Sequence, residues 1–491
     1  MLGIVGSALG QRGDGTPESS ILSRGIIKSA LDFGKADTMP AIIKNRPDGA
    51  PWRPGADAGT RRNRMPAAAL SHRLTHRGLH FSWVIAGLTF LTMLFMSAAL
   101  GLPGAMLQPL AQEFGWSTSQ ISSALALRFA LFGLMGPFAA VLMERFGVRA
   151  VVSVALALVG GGMLMAGLVT QLWHLVVLWG VVLGLGSGMT ALVLGAVVSN
   201  RWFASRRGLV MGILTASAAT GQLICLPVAA WMIERWGWRA PLLPLAVLCL
   251  GVMALVLLFM RDRPSDLGLA PYGAEPASAT PAPAAPAAAV VTWRTPFVAL
   301  REASTQPTFW LLFGTFFICG LSTNGLVQTH FISLCGDYGL AAVPAASVLA
   351  MMGVFDFIGT IASGWLSDRY DARKLLCWYY ALRGLSLLWL PSAEFTLYGL
   401  SLFAVFYGLD WIATVPPTVR LTAERFGAAK VGMVFGWIFA GHQIGAAVAA
   451  YGAGLSRSLL LSYAPALYVA GAACLLAAGM AMTIRRRTAA G

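Results

Sequence analysis

The sequence predicts an all-α, multi-pass membrane protein: twelve transmembrane helices in two parallel six-helix repeats. Three observations carry that prediction. The chain is 57% hydrophobic and only 11% charged, with a mean hydropathy of +0.70. Lys and Arg crowd into alternate connections between its apolar stretches. The chain also matches itself, without a gap, at the one offset that carries Glu144 onto Asp368. A length of 491 residues would allow several soluble domains, but this composition is that of a chain dissolved in lipid.

Residues 1–77 read as a disordered, basic N-terminal extension. Residues 1–64 carry ten basic and six acidic side chains and are rich in Gly and Pro. They lack the apolar core of a secretory signal, and translation is expected to start at or near Met65. A spanning helix needs about 20 mostly apolar residues. Six such stretches fall near 81–105, 118–142, 149–169, 173–199, 208–233 and 240–260, forming a bundle over 78–260. Six more fall near 308–333, 345–366, 374–391, 395–419, 431–455 and 463–484, within a second bundle over 306–491 that ends in a short basic tail. Between them, 261–305 contains "PASATPAPAAPAAA" and reads as a flexible, extended linker.

Loop charge sets the orientation. With the N-terminus inside, 20 Lys and Arg from residue 65 onward face the cytoplasm and only Arg235, Arg239 and Arg457 face out. Both termini are then cytoplasmic, with the chain in the inner cell membrane and the bilayer as its partner. Trp83, Trp173 and Trp310, near helix ends, read as interfacial anchors.

Several function classes drop out. The net charge of +15 is dispersed between apolar blocks, with no basic run interleaved with aromatics, so no nucleic-acid partner is expected. The six Cys are scattered without metal or disulfide spacing. No P-loop, HExxH or GxSxG array occurs, so neither an enzyme nor an ATP-driven pump is indicated, and no cofactor or metal is expected.

The self-match is widespread. Glu144, Arg145 and Arg149 align with Asp368, Arg369 and Arg373. At the same offset "EFG" at 113–115 aligns with "DYG" at 337–339, Gly208 and Gly212 with Gly432 and Gly436, and Arg206 with Lys430. Two copies in the same orientation point to a transporter with its site near the bilayer midplane, between the halves.

On these residues the chain resembles the major facilitator superfamily over about 78–487. The family's loop motif, G-x-L-A-D-R-x-G-R-[RK], is matched by Gly364, Leu366, Asp368, Arg369, Arg373 and Lys374, with Asp371 in place of Gly. The first copy has Ala140 and Glu144 but keeps Gly147 and Arg149. "WFASRRGLVMGILTAS" (202–217) and "LQPLAQEFGWS" (107–117) are similar to the monocarboxylate and oxalate–formate type porters. The resemblance implies a gate in which Glu144 faces the start of helix 11 near Lys430, and Asp368 the start of helix 5 near Arg206. Helix starts carry unpaired N–H groups and partial positive charge, so such contacts would hold the cytoplasmic side shut.

Ionisable groups inside lipid need a reason to be there. Arg383, Asp410, Asp356 and His442 lie about 14–18 Å above the cytoplasmic end by helical rise, and Arg128 about 24 Å. None has an ionisable counterpart in the other copy: Val159, Gly186, Phe132, Ala218 and Met352 stand there. Asp356 and Arg383 read as a buried ion pair. Asp410 reads as a substrate or proton site, or else as the partner of Arg383, with Pro416 and Pro417 after it as a hinge or a packing kink. His442, with Gln443, suits a proton relay or a hydrogen-bonded interior site. Arg128 suits an anionic substrate, and Asn324 and His330 are candidate substrate contacts. The expected function is secondary transport of a small organic anion, a carboxylate moved with protons, by a monomer working through alternating access. Efflux of amphipathic compounds and a non-transporting receptor on the same scaffold are the alternatives.

Overall fold

A computed structural model describes residues 66–76, 78–274, 292–427 and 430–484. Residues 1–65, the Ala/Pro tract and the basic tail lie outside these, and with them the readings of a disordered extension and a start at Met65. Among the described residues, ten helices are long and apolar enough to cross a bilayer. They are α1 (Ser82–Phe114), α2 (Thr118–Phe146), α3 (Val148–Ala166), α4 (Leu172–Trp202), α6 (Leu242–Phe259), α7 (Pro307–Asp337), α8 (Ala342–Arg369), α10 (Leu397–Phe426), α11 (Val431–Leu460) and α12 (Ala464–Thr483). Two further helices, α5 (Arg207–Trp236) and α9 (Ala372–Trp389), take the fifth and ninth places in this order. Side chains such as Leu243, Val247, Val469 and Leu476 stand exposed on outer helix faces, where lipid would cover them.

The two halves use the same pairings. In the first, α1 packs on α5, α2 on α4 and α3 on α6; in the second, α7 packs on α11, α8 on α10 and α9 on α12. The halves meet where α2 lies along α11, α5 along α8 and α1 against α7. Below, the near face is the side on which α1 begins, and the far face is the side on which it ends.

Helix starts at the near face explain one departure from the repeated loop motif, Asp371 in place of Gly. Gly147, before α3, has φ +85°, a backbone few side chains adopt. A Cβ there would lie 2.5 Å from Asp262 Oδ2. The Asp262 carboxylate fills that space and accepts the Arg149 N–H at 2.9 Å, capping α3. In the second copy Asp371 is itself the cap and accepts the Arg373 N–H at 3.0 Å. The arginine that follows then ties each half together: Arg149 donates to Leu257 O at the end of α6, and Arg373 to Ile484 O beyond α12.

Two expectations about connecting segments change. The linker is not extended throughout. Asp262 holds its start, and a 3₁₀ turn follows at Pro264–Leu267. Tyr272 then bridges to Phe203, its N–H donating to Trp202 O at 2.8 Å. On the other side of the Ala/Pro tract, the helix Thr295–Ser304 docks on α11, with Trp437 Nε1 donating to Pro296 O at 2.8 Å. Similarly, Pro66–His76, within the stretch read as disordered, is a helix that packs on α6 with Ala67 fully buried. Apolar docking surfaces order both segments. Trp173 and Trp310 are exposed as anchors should be, whereas Trp83 packs edge-on against Phe203 at 5.3 Å and Tyr272 at 5.8 Å.

Replacing the cap should be measurable. Asp371→Ala is expected to lower stability by about 0.5–2 kcal/mol, and Asp371→Asn by less, because the amide oxygen still accepts. Thermal unfolding in detergent checks both.

Candidate functional site

The site is built around a break in α10. Its first segment ends at Asp410 and its second begins at Val415. Pro416 and Pro417 have no N–H to donate back into the preceding turn, so backbone groups there lose their helical partners. Inside lipid each needs a replacement. The structure supplies three. Arg383 of α9 donates through one nitrogen to Asp410 O, and to Trp411 O at 3.2 Å. Asp356 of α8 accepts the Ile412 N–H at 2.9 Å. Ser363 of α8 donates to Ala413 O at 2.5 Å.

This arrangement reassigns the buried ion pair. Arg383 pairs with Asp410 rather than Asp356, with Nε to Oδ2 at 2.6 Å. Both Arg383 and Asp410 are buried, and Asp356 Oδ1 is engaged by Ile412 N and by Thr360 Oγ1 at 3.1 Å. Asp356 and Arg383 do sit in one layer, but the broken backbone lies between their tasks.

The cluster extends across the second half. Arg383 NH1 donates to Cys319 Sγ of α7 at 3.0 Å, and Thr414 Oγ1 lies 3.3 Å from the same sulfur. His442 of α11 interacts electrostatically with Cys319. Its ring lies 4.8 Å from that of Phe316 and stacks on Phe439 at 5.8 Å. Phe439 in turn meets Phe132 of α2, in the other half, at 5.8 Å. Asp410 Oδ1, His442 Nδ1 and the hydroxyl of Tyr380, whose ring lies 5.7 Å from the Arg383 guanidinium, are buried without a hydrogen-bond partner. Sequence reasoning missed Cys319, because nothing distinguishes a buried thiol beside a charge from the small packing residues around it.

Arg128, on α2, has a different environment. It is 2% exposed, and its Nε and NH1 have no partner. Its guanidinium lies 4.6 Å from the centre of the Phe129 ring. No carboxylate pairs with it among the described residues. Its backbone packs on Gly184 of α4, beside the π-helical segment Val176–Val182.

The remaining candidates divide. Gln443 is 1% exposed at the α2–α11 seam, where its Cβ lies against Gly133, and its Oε1 is unpartnered. Asn324 is half-buried on the π-helical segment Leu321–Gln328 of α7, a backbone irregularity common at functional sites. His330 stands apart: its Nε2 bonds Ala450 O at 2.8 Å and its ring faces Tyr463 at 5.2 Å, which ties α7 to α11 and α12.

The contacts expected of Glu144 and Asp368 are not made. Glu144 pairs with Arg201 of α4, in its own half, and with Arg263 at 3.8 Å. Lys430 pairs with Glu302 of the linker helix at 2.5 Å. Asp368 is exposed and makes no hydrogen bond or ion pair among the described residues, and Arg369 lies 4.0 Å from the Trp365 ring. Arg145 lies 5.9 Å from the Trp293 ring. For Asp368, the α5–α8 seam at the near face leaves open space around its glycines. Nothing lies within 4 Å of a Cβ built on Gly208, Gly212 or Gly364. At the far face the halves touch closely. A Cβ on Gly104 of α1 would lie 2.8 Å from Gln328 O of α7, and Gln108 Nε2 donates to Ser333 O at 3.2 Å.

Residues 85–450 match the profile described as "Major Facilitator Superfamily". Monocarboxylate transporter 13 of Bos taurus is 26% identical over 411 residues, covering 82% of this chain and 89% of its own. The uncharacterized MFS-type transporter YcxA of Bacillus subtilis (strain 168) is 23% identical over 386 residues, covering 78% and 90%. Among solved structures, a bacterial homolog of the human lysosomal transporter Spinster, inward-facing and unoccupied, superposes with a TM-score of 0.61 at 17% identity. It covers 83% of this chain and 99% of its own. A D-xylose–proton symporter superposes with a TM-score of 0.61 at 14% identity, covering 82% and 97%.

Breaking the buried pair separates its roles. Arg383→Leu alone should cost about 3–5 kcal/mol, because Asp410 is left charged and unpaired. Arg383→Leu with Asp410→Leu should recover most of that. It should stay below wild type, because Asp410 O and Trp411 O lose their donor. Thermal unfolding in detergent reads both variants.

Proposed function

Since the chain belongs to the Major Facilitator Superfamily, we propose that this secondary transporter carries a small monocarboxylate together with a proton. The superfamily's members are transporters rather than enzymes, and this chain is a multi-pass membrane protein that moves a small-molecule substrate. The carboxylate reading rests on one observation above all: Arg128 is a buried cation without an anion among the described residues, whereas Arg383 is already neutralised by Asp410. An uncompensated charge inside a membrane protein is costly, and an anionic substrate would offset that cost. The printed names of the monocarboxylate transporters among the relatives support the same class.

The proton has a separate seat. Asp410 offers a free oxygen, Oδ1, while Oδ2 holds Arg383. Protonating Asp410 weakens its hold on Arg383, which also anchors the broken turn of α10. The proton state is thereby linked to the geometry of a helix that can flex at its break. His442, between this cluster and Phe439 at the α2–α11 seam, is the group that would pass the proton toward the other half.

In this reading the near face is cytoplasmic, both termini lie in the cytoplasm, and the protein works as a monomer in the inner membrane. The crowding of Lys and Arg at that face supports the orientation. The open seam at Gly208, Gly212 and Gly364, with the far face shut, then corresponds to an inward-open state. Closing it would bring Asp368 toward the start of α5 and Glu144 toward the start of α11. Small residues on both sides of the α5–α8 seam allow that approach.

Uptake of a panel of radiolabelled small monocarboxylates into proteoliposomes, with sugars and amphipathic cations alongside, tests the reading. An inward-acid-to-outward-acid reversal of the pH gradient should reverse the direction of net accumulation. Arg128→Gln should reduce uptake efficiency about 10- to 100-fold, the worth of a lost charged hydrogen bond. Asp410→Asn should remove the dependence on the pH gradient. Flux of amphipathic cations without any monocarboxylate would instead favour efflux.

A further inference from the structure

We propose that Glu234 and Ser458 are paired gating residues that latch the far face shut. The proposal rests on the alternating-access reading above and concerns the face opposite the repeated loop motif. Glu234 is in the last turn of α5, and its Oε1 accepts the N–H of Val343, the second residue of α8, at 3.2 Å. Ser458 is near the end of α11, and its Oγ accepts the N–H of Ser119, the second residue of α2, at 3.0 Å. Each bond crosses from one half to the other.

The two bonds are one device in duplicate. Glu234 and Ser458 are counterparts at the offset that relates Glu144 to Asp368, and so are Ser119 and Val343. The close approach between them is centred the same way: Gly104 meets the carbonyl of Gln328, its own counterpart in the second copy. Four helix-end positions therefore obey the internal repeat and meet across it as two equivalent bonds. Incidental surface contacts would have no reason to do so.

The chemistry suits a latch. The first N–H groups of a helix have no partner within it, and its start carries partial positive charge. The residue before α8 is Ala341, which has no side-chain acceptor, so Glu234 supplies one from the other half. At α2, Ser117 caps the Gln120 N–H and leaves that of Ser119 for Ser458. An ion pair lies close to each acceptor in its own half. Glu113 at the end of α1 pairs with Arg239 just beyond α5 at 2.6 Å, and Asp337 at the end of α7 pairs with Arg457 of α11 at 2.6 Å. Glu113 and Asp337 are again counterparts in the repeat. The helix end that carries each acceptor is thus tied within its own half, and the acceptor is bonded to the other. Glu234 lines a far-face cavity of about 500 Å³, so water can replace Val343 as its partner when the halves part. At the near face the same two helices differ: the described residues within 207–215 of α5 and 357–369 of α8 make no hydrogen bond or ion pair with each other.

Spin-label distances test the latch without any substrate. Labels at Leu168→Cys and Tyr398→Cys, exposed at the far face in opposite halves, report its opening. The background carries Cys225→Ser and Cys377→Ser, since the other four cysteines are buried. Glu234→Ala and Ser458→Ala should each shift the closed-to-open ratio about 5-fold toward the longer distance, the usual effect of losing a cap. Together they should shift it about 25-fold, because the two bonds share no partner. Ser458→Thr keeps the hydroxyl and should restore the wild-type ratio, while Ser458→Asp adds a charge at the start of α2 and should favour the shorter distance. Unchanged distances in the double variant would overturn the proposal, and so would equal opening in Ser458→Thr and Ser458→Ala. If the far face opens as expected but no monocarboxylate is carried, the substrate assignment fails and the latch stands.

Discussion

The structure depends first on the need to satisfy backbone groups that a broken helix leaves inside lipid. An intact α10 would need nothing from its neighbours. The Pro416–Pro417 pair removes two donors, and the turn from Trp411 to Thr414 opens. Arg383, Asp356 and Ser363, from α9 and α8, then complete the backbone. Two charged groups are thereby committed to holding a carbonyl and an N–H. Asp410 joins them because Arg383, brought in for the carbonyls, needs a counter-charge. The polar layer is thus a consequence of the break, and Asp410 Oδ1 is a carboxylate oxygen that the break leaves available for chemistry.

Around that layer the helix packing is doubled. The same helix pairings recur in each half, and an arginine after each loop motif reaches the last carbonyls of the half's sixth helix. Caps are preserved in effect rather than in position. Gly147 leaves room for Asp262, whereas Asp371 brings its own carboxylate, so one departure from the motif is compensated by another residue. Helix starts are the recurrent contact points because they are where a membrane helix has donors to spare.

This explains what could be read in the sequence and what could not. Span positions followed from apolar length, the repeat from a fixed offset, and the buried polar set from the rule that ionisable groups in lipid need a reason. The choice between Asp356 and Asp410 as partner of Arg383 was not legible, since both lie in one layer and only the course of the opened turn decides. Nor was the order of the linker: the sequence shows the Ala/Pro tract plainly, but docking of Tyr272 and Pro296 depends on surfaces formed by distant residues. The gate contacts proposed for Glu144 and Asp368 would belong to another state. A sequence specifies both arrangements of a moving protein, and a single structure holds one. His330 shows the remaining limit, because a histidine serving as a strut between helices and one facing a cavity have the same sequence signature.

The halves differ most where charge is concerned, and that difference has a direction. In the second half Arg383 is neutralised by Asp410 and fastened to backbone. Arg128 in the first half has neither kind of partner among the described residues. A symmetric pair of neutralised arginines would give a substrate anion nowhere to bind, and a symmetric pair of free ones would repel each other and destabilise the empty protein. In the proposed reading, one cation free and one held by a titratable group give an anion and a proton separate seats, one in each half. Rocking of the halves then changes both environments together. On that reading the ionisable residues do not repeat because two equivalent sites would bind two identical ligands, whereas coupling requires two unlike ones.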